Sequence, residues 1–271
     1  MVREPARRVI YLTGDHTSMN DRATREKTYW DEAYQVEGFN HEKYLWSKYI
    51  TDASYGSDFF NNLLRKFSHH RVLTIGGGID TVGVSLAKND NRVVSLDISH
   101  AAVRQTRELA RQLGVEKNLS AVVMNCEEMV LDEKFDVVVC KRALHHMNLS
   151  KVIERVHDSL IEGGSFIAEE PMCILKPLRW IHEKLPFHPS PLTDDEAELT
   201  EEDLALIESV FREVKFHYIE CLTRESVKYC LWKAGAEKLL RPLGRFDFSL
   251  INKYLTPLKY LSTYTVIQAI K

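Results

Sequence analysis

The chain has 271 residues, 44% of them hydrophobic and 28% charged, with 36 basic against 39 acidic side chains and a formal net charge of −3. That is enough apolar material to bury a core as one large domain, and the near balance of charge argues against a polyanion-binding surface, so no nucleic-acid partner is expected. Five scattered cysteines without a Cys-x-x-Cys pair read as reduced thiols. The opening residues Met1 to Arg8 carry no apolar secretion core, and no run of about 18 apolar residues follows, so a cytoplasmic location is expected.

Residues 1–20 are mixed in character and are expected to be loosely ordered; residues 21–271 are expected to form one domain. Within it, 21–68 reads as a helical cover with aromatics at Tyr29, Trp30, Tyr34, Phe39, Tyr44, Trp46 and Tyr49. These either pack on the domain or, for Tyr29 and Trp30, form a lid over a ligand. A helix over Phe59 to Phe67 leads into a strand, Arg71 to Ile75, followed by Gly76-Gly77-Gly78 and a helix from Thr81 to Lys88. Strands are then predicted over 92–97, 119–124, 135–140 and 165–169. Helices are predicted over 99–113, with Val103, Thr106, Ala110 and Leu113 inward, and over 149–161, ended by Gly163-Gly164. Strand alternating with helix at this spacing gives right-handed crossovers and a parallel, doubly wound sheet.

The rhythm breaks at Pro171. Five of the eight prolines fall between Pro171 and Pro191, so 172–213 reads as an excursion, closing on a capping-box start at Thr200-Glu-Glu-Asp203. A strand over 214–219, a helix over 225–241 and a last strand over 263–270 complete the domain as its C-terminal part, 214–271. No internal repeat is present.

Each predicted strand ends in a special backbone or a polar residue, and a ligand on such a sheet touches those ends. The first runs into Gly76 to Gly78, where a ligand can approach the backbone. The second ends in Asp97, 19 residues past Gly78, the spacing of a carboxylate that accepts from ribose hydroxyls. The third is followed by Asn125-Cys126-Glu127-Glu128, the fourth by Lys141-Arg142-Ala-Leu-His145-His146, and the fifth ends in Glu169-Glu170-Pro171. A dinucleotide site wants Gly-x-Gly-x-x-Gly, but the sixth position here is Thr81, and no basic partner for a pyrophosphate stands nearby. A phosphate-free nucleoside fits better.

As an ordered set, Val72-Leu-Thr-Ile-Gly-Gly-Gly78, Val94-Ser-Leu-Asp97-Ile-Ser99, Asn125-Cys126-Glu-Glu-Met129, Phe135 to His146 and Leu160 to Pro171 resemble the class I S-adenosylmethionine (AdoMet)-dependent methyltransferases, small-molecule branch. The resemblance covers about residues 70–171, the AdoMet-binding core within 69–171. It implies a Rossmann-like seven-stranded sheet, mostly parallel with the last strand antiparallel, and AdoMet as cofactor. Carried over by position, Gly76, Gly77 and Gly78 would underlie the methionine portion, Asp97 would hold the ribose, Ile98 would cover the adenine and Asn125-Cys126 would address its edge. Thr74, Asp80, Lys141 and Tyr29 complete the expected cofactor-binding set. The family commonly has an acid where Thr74 stands and a small residue where Asp80 stands; Asp80 is a candidate substitute for that acid. A Gly-Gly-Gly-x-Asp turn also resembles the polyamine synthases, but their acidic segment after strand four is replaced here by Lys141-Arg142 and the histidine pair.

Methyl transfer from a sulfonium asks a protein mainly to align the acceptor and keep it unprotonated. A histidine, His145 or with slight preference His146, oriented by Glu169 or Glu170, is the candidate base; the other reading makes the pair part of the loop's packing. No metal ligand set is expected, since His182-Glu183 lacks a second histidine at the needed spacing and Pro186 interrupts the helix it would require. Gly163-Gly-Ser-Phe-Ile167 is not a nucleophile elbow. The excursion, with Trp180, His182, Phe187 and His188, stands where the family places acceptor recognition. A membrane surface is a second reading of its apolar and basic residues, and of 239–261, without being the favoured one. The expectation is therefore methyl transfer to a small-molecule acceptor at oxygen, on a natural product, sugar or glycolipid. Transfer to nitrogen or carbon, and a methyltransferase-like binding protein without catalysis, stay open, as does the oligomeric state.

Overall fold

A computed structural model describes residues 21–35, 55–174, 196–223 and 225–271. The expectations for 1–20, for Phe39, Tyr44, Trp46 and Tyr49, and for Trp180, His182, Phe187 and His188 lie outside the described residues.

A seven-stranded sheet forms the centre, in the order β3-β2-β1-β4-β5-β7-β6. Its strands are β1 (Arg71–Ile75), β2 (Arg92–Asp97), β3 (Leu119–Val123), β4 (Phe135–Lys141), β5 (Leu160–Pro171), β6 (Glu213–Ile219) and β7 (Tyr264–Ile270). The first five pair in parallel, whereas β7 runs antiparallel to both β5 and β6. The strand order reverses between β1 and β4, so the carboxyl ends of these two strands flank a crevice, the usual ligand position of an open α/β sheet. The parallel, doubly wound part is the one expected from the strand–helix alternation, and the seven strands with an antiparallel last strand are those the family resemblance implied.

Alternate residues of the inner strands feed two cores because successive side chains of a strand point to opposite faces. Leu73, Ile75, Val94, Leu96 and Val138 pack on one face against α5 (Leu149–Ser159) and α6 (Glu201–Val210). Val72, Val93, Val137 and Val139 pack on the other against α2 (Tyr55–Leu64), α3 (Thr81–Lys88) and α4 (His100–Gln112). Ser99 caps α4 by accepting from Ala102 N–H, and Thr200 with Asp203 forms the full capping box of α6.

Several boundaries differ from the sequence reading. The cover helix α1 is described over Asp21–Gln35, and α2 begins at Tyr55, four residues before the predicted start. Leu113, expected to face inward, is exposed just past the end of α4. Helix α5 stops at Ser159 rather than at the glycine pair, because Leu160 is already extended and pairs with Phe135 of β4. The helix predicted through Arg241 is two: α7 (Glu225–Lys233) and α8 (Leu240–Ser249). Between them Gly235 takes φ +65°, and Ala236 N–H bonds back to Leu231 C=O, a left-handed helix stop that only glycine adopts without strain.

Candidate functional site

The carboxyl end of β1 turns through Gly76 and Gly78, at φ +61° and +57°. Side chains at these positions would be strained and would also collide, with Ala143 at Gly76 and with the Tyr34 hydroxyl at Gly78. Asp97, at the end of β2, accepts from Gly78 N–H at 2.7 Å and from Ser99 N–H at 2.9 Å. Each bond uses a different carboxylate oxygen, so each oxygen keeps a lone pair for a further donor. Burial pushes the Asp97 carboxyl up to about 6; the two N–H bonds oppose this, and the Asp80 and Asp31 charges add to it.

Asp80 lies beneath the loop. Its carboxylate accepts from the hydroxyls of Thr74 and Ser95 (2.7 Å for the latter) and from Gly83 N–H at 2.7 Å, which caps α3, while its own N–H donates to Thr106 Oγ1. Thr74 and Asp80 are both buried, so the two positions that depart from the family pattern form one hydrogen-bonded unit under the glycine turn. At the end of β3, Asn125 Oδ1 accepts from Glu127 N–H, and its Nδ2 is buried with no hydrogen-bond partner. Ile98 is half-buried beside Asp97. Cys126 sits in the core, its thiol pushed up to about 12 by burial and by the Asp97 charge; the side chain belongs to the packing beneath the site.

Helix α1 covers this end of the sheet. Asp31 anchors it, accepting from Ser99 Oγ at 2.8 Å and from Ala101 N–H at 3.1 Å at the start of α4. Gln105 donates to Tyr34 C=O. Three aromatics then line up along the helix, with Tyr29 edge-on to Trp30 at 5.1 Å and Trp30 stacked on Tyr34 at 5.6 Å. Trp30 Nε1 donates to the buried Glu26 carboxylate, and its ring meets His146 edge-on at 5.5 Å. The Tyr29 phenol is raised by burial and then by the charges of Glu196 and Glu26, so it too faces this pocket.

The turn after β4 carries His145 and His146, whose rings lie 4.2 Å apart. Glu170, fully buried at the end of β5, accepts from the N–H groups of Ala143 and Leu144 through one oxygen, both at 2.9 Å, and meets His145 Nδ1 through the other at 2.7 Å. Burial opposes ionisation of Glu170, but His145 and the backbone N–H groups outweigh it and hold its carboxyl below the usual range. His145 Nε2 faces Glu196 Oε1 at 3.6 Å, and His146 Nδ1 lies 3.4 Å from Glu26 Oε2. Glu169 turns elsewhere, to a bifurcated pair with Arg142. Lys141 lies away from the loop, its ammonium 5.7 Å from the centre of the Phe60 ring.

The methyltransferase-domain family matches residues 66–241, more than half of the chain, including the strand ends that line the crevice but not the covering helix α1. The chain belongs to this methyltransferase-domain family, and its sheet is that of the class I AdoMet-dependent methyltransferases. It is 26% identical over 102 residues to an uncharacterized methyltransferase, YcgJ, of Bacillus subtilis, covering 37% of this chain and 40% of that protein. It is also 26% identical over 150 residues to the ubiquinone/menaquinone biosynthesis C-methyltransferase of Proteus mirabilis, covering 53% and 56%. The chain thus spans about half the length of these curated relatives. Among solved structures, the geranyl diphosphate C-methyltransferase of Streptomyces coelicolor superposes with a TM-score of 0.60 at 13% identity, over 93% of this chain and 97% of that one; this likeness is one of fold.

The methyltransferase's own residues fit a nucleoside cofactor. Asn125 Nδ2 is a buried donor left over at the end of β3, and Asp97 offers two open acceptor positions at the end of β2. Of the residues picked from sequence, the fold gathers Tyr29, Gly76, Gly77, Gly78, Asp97, Ile98, Asn125, His145, His146 and Glu170 around the crevice. It puts Thr74, Asp80 and the Cys126 side chain beneath it, and Lys141 away from it. Sequence reasoning missed Glu26, Asp31 and Glu196. The first two stand five residues apart on α1 and flank the singled-out Tyr29 and Trp30, so they were open to notice in the sequence; Glu196, late in the 172–213 excursion, had no local signal.

Proposed function

We propose that this chain transfers the methyl group of AdoMet to the oxygen of a small-molecule acceptor. The carrying observation is the His145–Glu170 pair, which opens beside the glycine turn under helix α1. When bound, AdoMet supplies a methyl group on a positive sulfur that a deprotonated oxygen can attack. Asp97 would hold the ribose hydroxyls, Asn125 Nδ2 would meet the adenine edge, Ile98 would flank the ring, and Gly76 to Gly78 would let the methionine portion lie close to the backbone. Trp30 and Tyr34 of α1 close over the turn and keep water out.

Glu170 fixes the tautomer of His145. The carboxylate accepts from Nδ1–H, so the Nε2 lone pair points into the pocket, where it can relieve an acceptor hydroxyl of its proton. His146 has no such carboxylate bond and packs between His145 and Trp30. Oxygen is favoured as the acceptor atom because a hydroxyl must lose its proton for attack to be efficient, and this pocket is built around an oriented imidazole. The relatives include a protein named as a C-methyltransferase, so transfer to carbon is the competing outcome.

Calorimetric titration with AdoMet and S-adenosylhomocysteine tests the cofactor reading: binding in the micromolar range, weakened at least tenfold in Asp97→Ala, is expected. Absence of heat at millimolar ligand would leave a methyltransferase-like binding protein.

A further inference from the structure

Three groups from two parts of the chain meet at the mouth of the histidine turn: His145, His146 and Glu196. One ligand atom from each lies within 4.8 Å of the others. The separation between His145 Nε2 and Glu196 Oε1 is 3.6 Å. Donors held about 2.1 Å from one ion at tetrahedral angles stand about 3.4 Å apart, so this pair is already at coordination spacing, and a rotation of the partly exposed Glu196 side chain brings the set together.

The chemistry of the pair points the same way. Because Glu170 accepts from Nδ1–H of His145, Nε2 is the ring nitrogen left to face the pocket, and it faces a carboxylate oxygen. An imidazole nitrogen and a carboxylate oxygen facing each other at 3.6 Å call for a positive charge between them, either a proton or a metal ion. The carboxylate–imidazole bond is also the outer-shell arrangement that orients a metal-binding histidine and raises its basicity. His146 contributes a buried Nδ1 without a hydrogen bond. Glu26, whose carboxylate accepts from Trp30 Nε1, lies 3.4 Å from that nitrogen.

We propose that His145, His146 and Glu196 form a binding site for a divalent first-row transition ion, with a fourth position open toward the acceptor. Two imidazoles and one carboxylate suit zinc, iron, manganese or cobalt and leave room for a further oxygen ligand. The role of the ion rests on the methyl-transfer reading and sharpens it: the ion would acidify a coordinated acceptor hydroxyl so that its proton leaves to water and the oxyanion attacks, and His145 Nε2 would hold the ion in place of taking that proton itself. The acceptor class narrows to molecules with an oxygen that binds metal, such as an acidic hydroxyl or an enolisable carbonyl.

The test is cobalt(II) titration of the full chain after chelator treatment and desalting, followed by visible absorption. One saturating equivalent, displaced by zinc, is expected. In Glu196→Gln and in His146→Ala the affinity should fall at least tenfold, with thermal melting of the metal-free protein unchanged in the glutamine variant. A non-saturating signal, or one equal in both variants and the parent, overturns the site. AdoMet binding to the metal-free protein is measured alongside. If AdoMet binds and cobalt does not, the ion site alone fails; if cobalt binds and AdoMet does not, the cofactor reading fails and the ion site stands.

Discussion

Thr74 donates its hydroxyl to Asp80, six residues further on and across the glycine turn, so the two unusual positions of this chain complete each other. Asp80 also gathers Ser95 Oγ and Gly83 N–H. Removing its carboxylate orphans three buried donors. Asp80→Ala is therefore expected to destabilise the protein by about 2–4 kcal/mol, seen as a lower midpoint in urea denaturation. Thr74→Asp, which restores the acid common in the family, should also destabilise, because it sets a second carboxylate against Asp80. Combining it with Asp80→Ala should recover part of the loss; additive losses would disprove the coupling.

Asp97 has effects of opposite sign on the free and the cofactor-bound protein. Its carboxyl is raised to about 6 by burial. The folded state therefore retains a proton that the unfolded state releases, and this stabilising contribution is present at low pH and lost as pH rises through about 6. Binding of ribose hydroxyls favours the ionised form. AdoMet affinity should consequently weaken roughly tenfold on going from about pH 7 to about pH 5, and Asp97→Asn should flatten that dependence. Calorimetry across the range reads both variants.

Asp31 ties α1 to the start of α4. Burial disfavours its charge, but Lys27, Ala101 and Ser99 more than compensate and hold the carboxyl down to about 2. The anchor is complete above the ordinary aspartate range and fails as pH falls through about 2. Asp31→Ala should free α1, giving faster limited proteolysis within 21–35 and AdoMet binding weakened several-fold, with the denaturation midpoint of the sheet little changed. Proteolysis at the parent rate would refute the anchoring role.

Glu170→Gln keeps an oxygen for Ala143 and Leu144 N–H but turns an amide N–H₂ toward His145 Nδ1. The imidazole must then carry its proton on Nε2, the wrong tautomer for accepting a proton or binding an ion. Turnover should fall by about 10²–10⁴-fold while AdoMet affinity stays within a few-fold of the parent. A proportionate loss of both would mean that Glu170 only supports the turn.

The sequence by itself determined the sheet, the glycine turn and Asp97, because strand and helix periodicity and the spacing from Gly78 to Asp97 are local properties of the chain. It also pointed to the histidine pair and to the acid at the end of β5. Choosing among near neighbours needed tertiary structure. Glu169 and Glu170 alternate across β5, so only the second reaches His145 while the first turns to Arg142. Thr74 and Asp80 look like two separate departures in sequence and become one hydrogen bond once the turn folds back on α3. Helix α1 acquired its role as a cover only when Asp31 met the start of α4, about 70 residues away. Glu196 illustrates the limit most plainly: its position opposite His145 depends on how the chain returns from the excursion, which no pattern within either segment records.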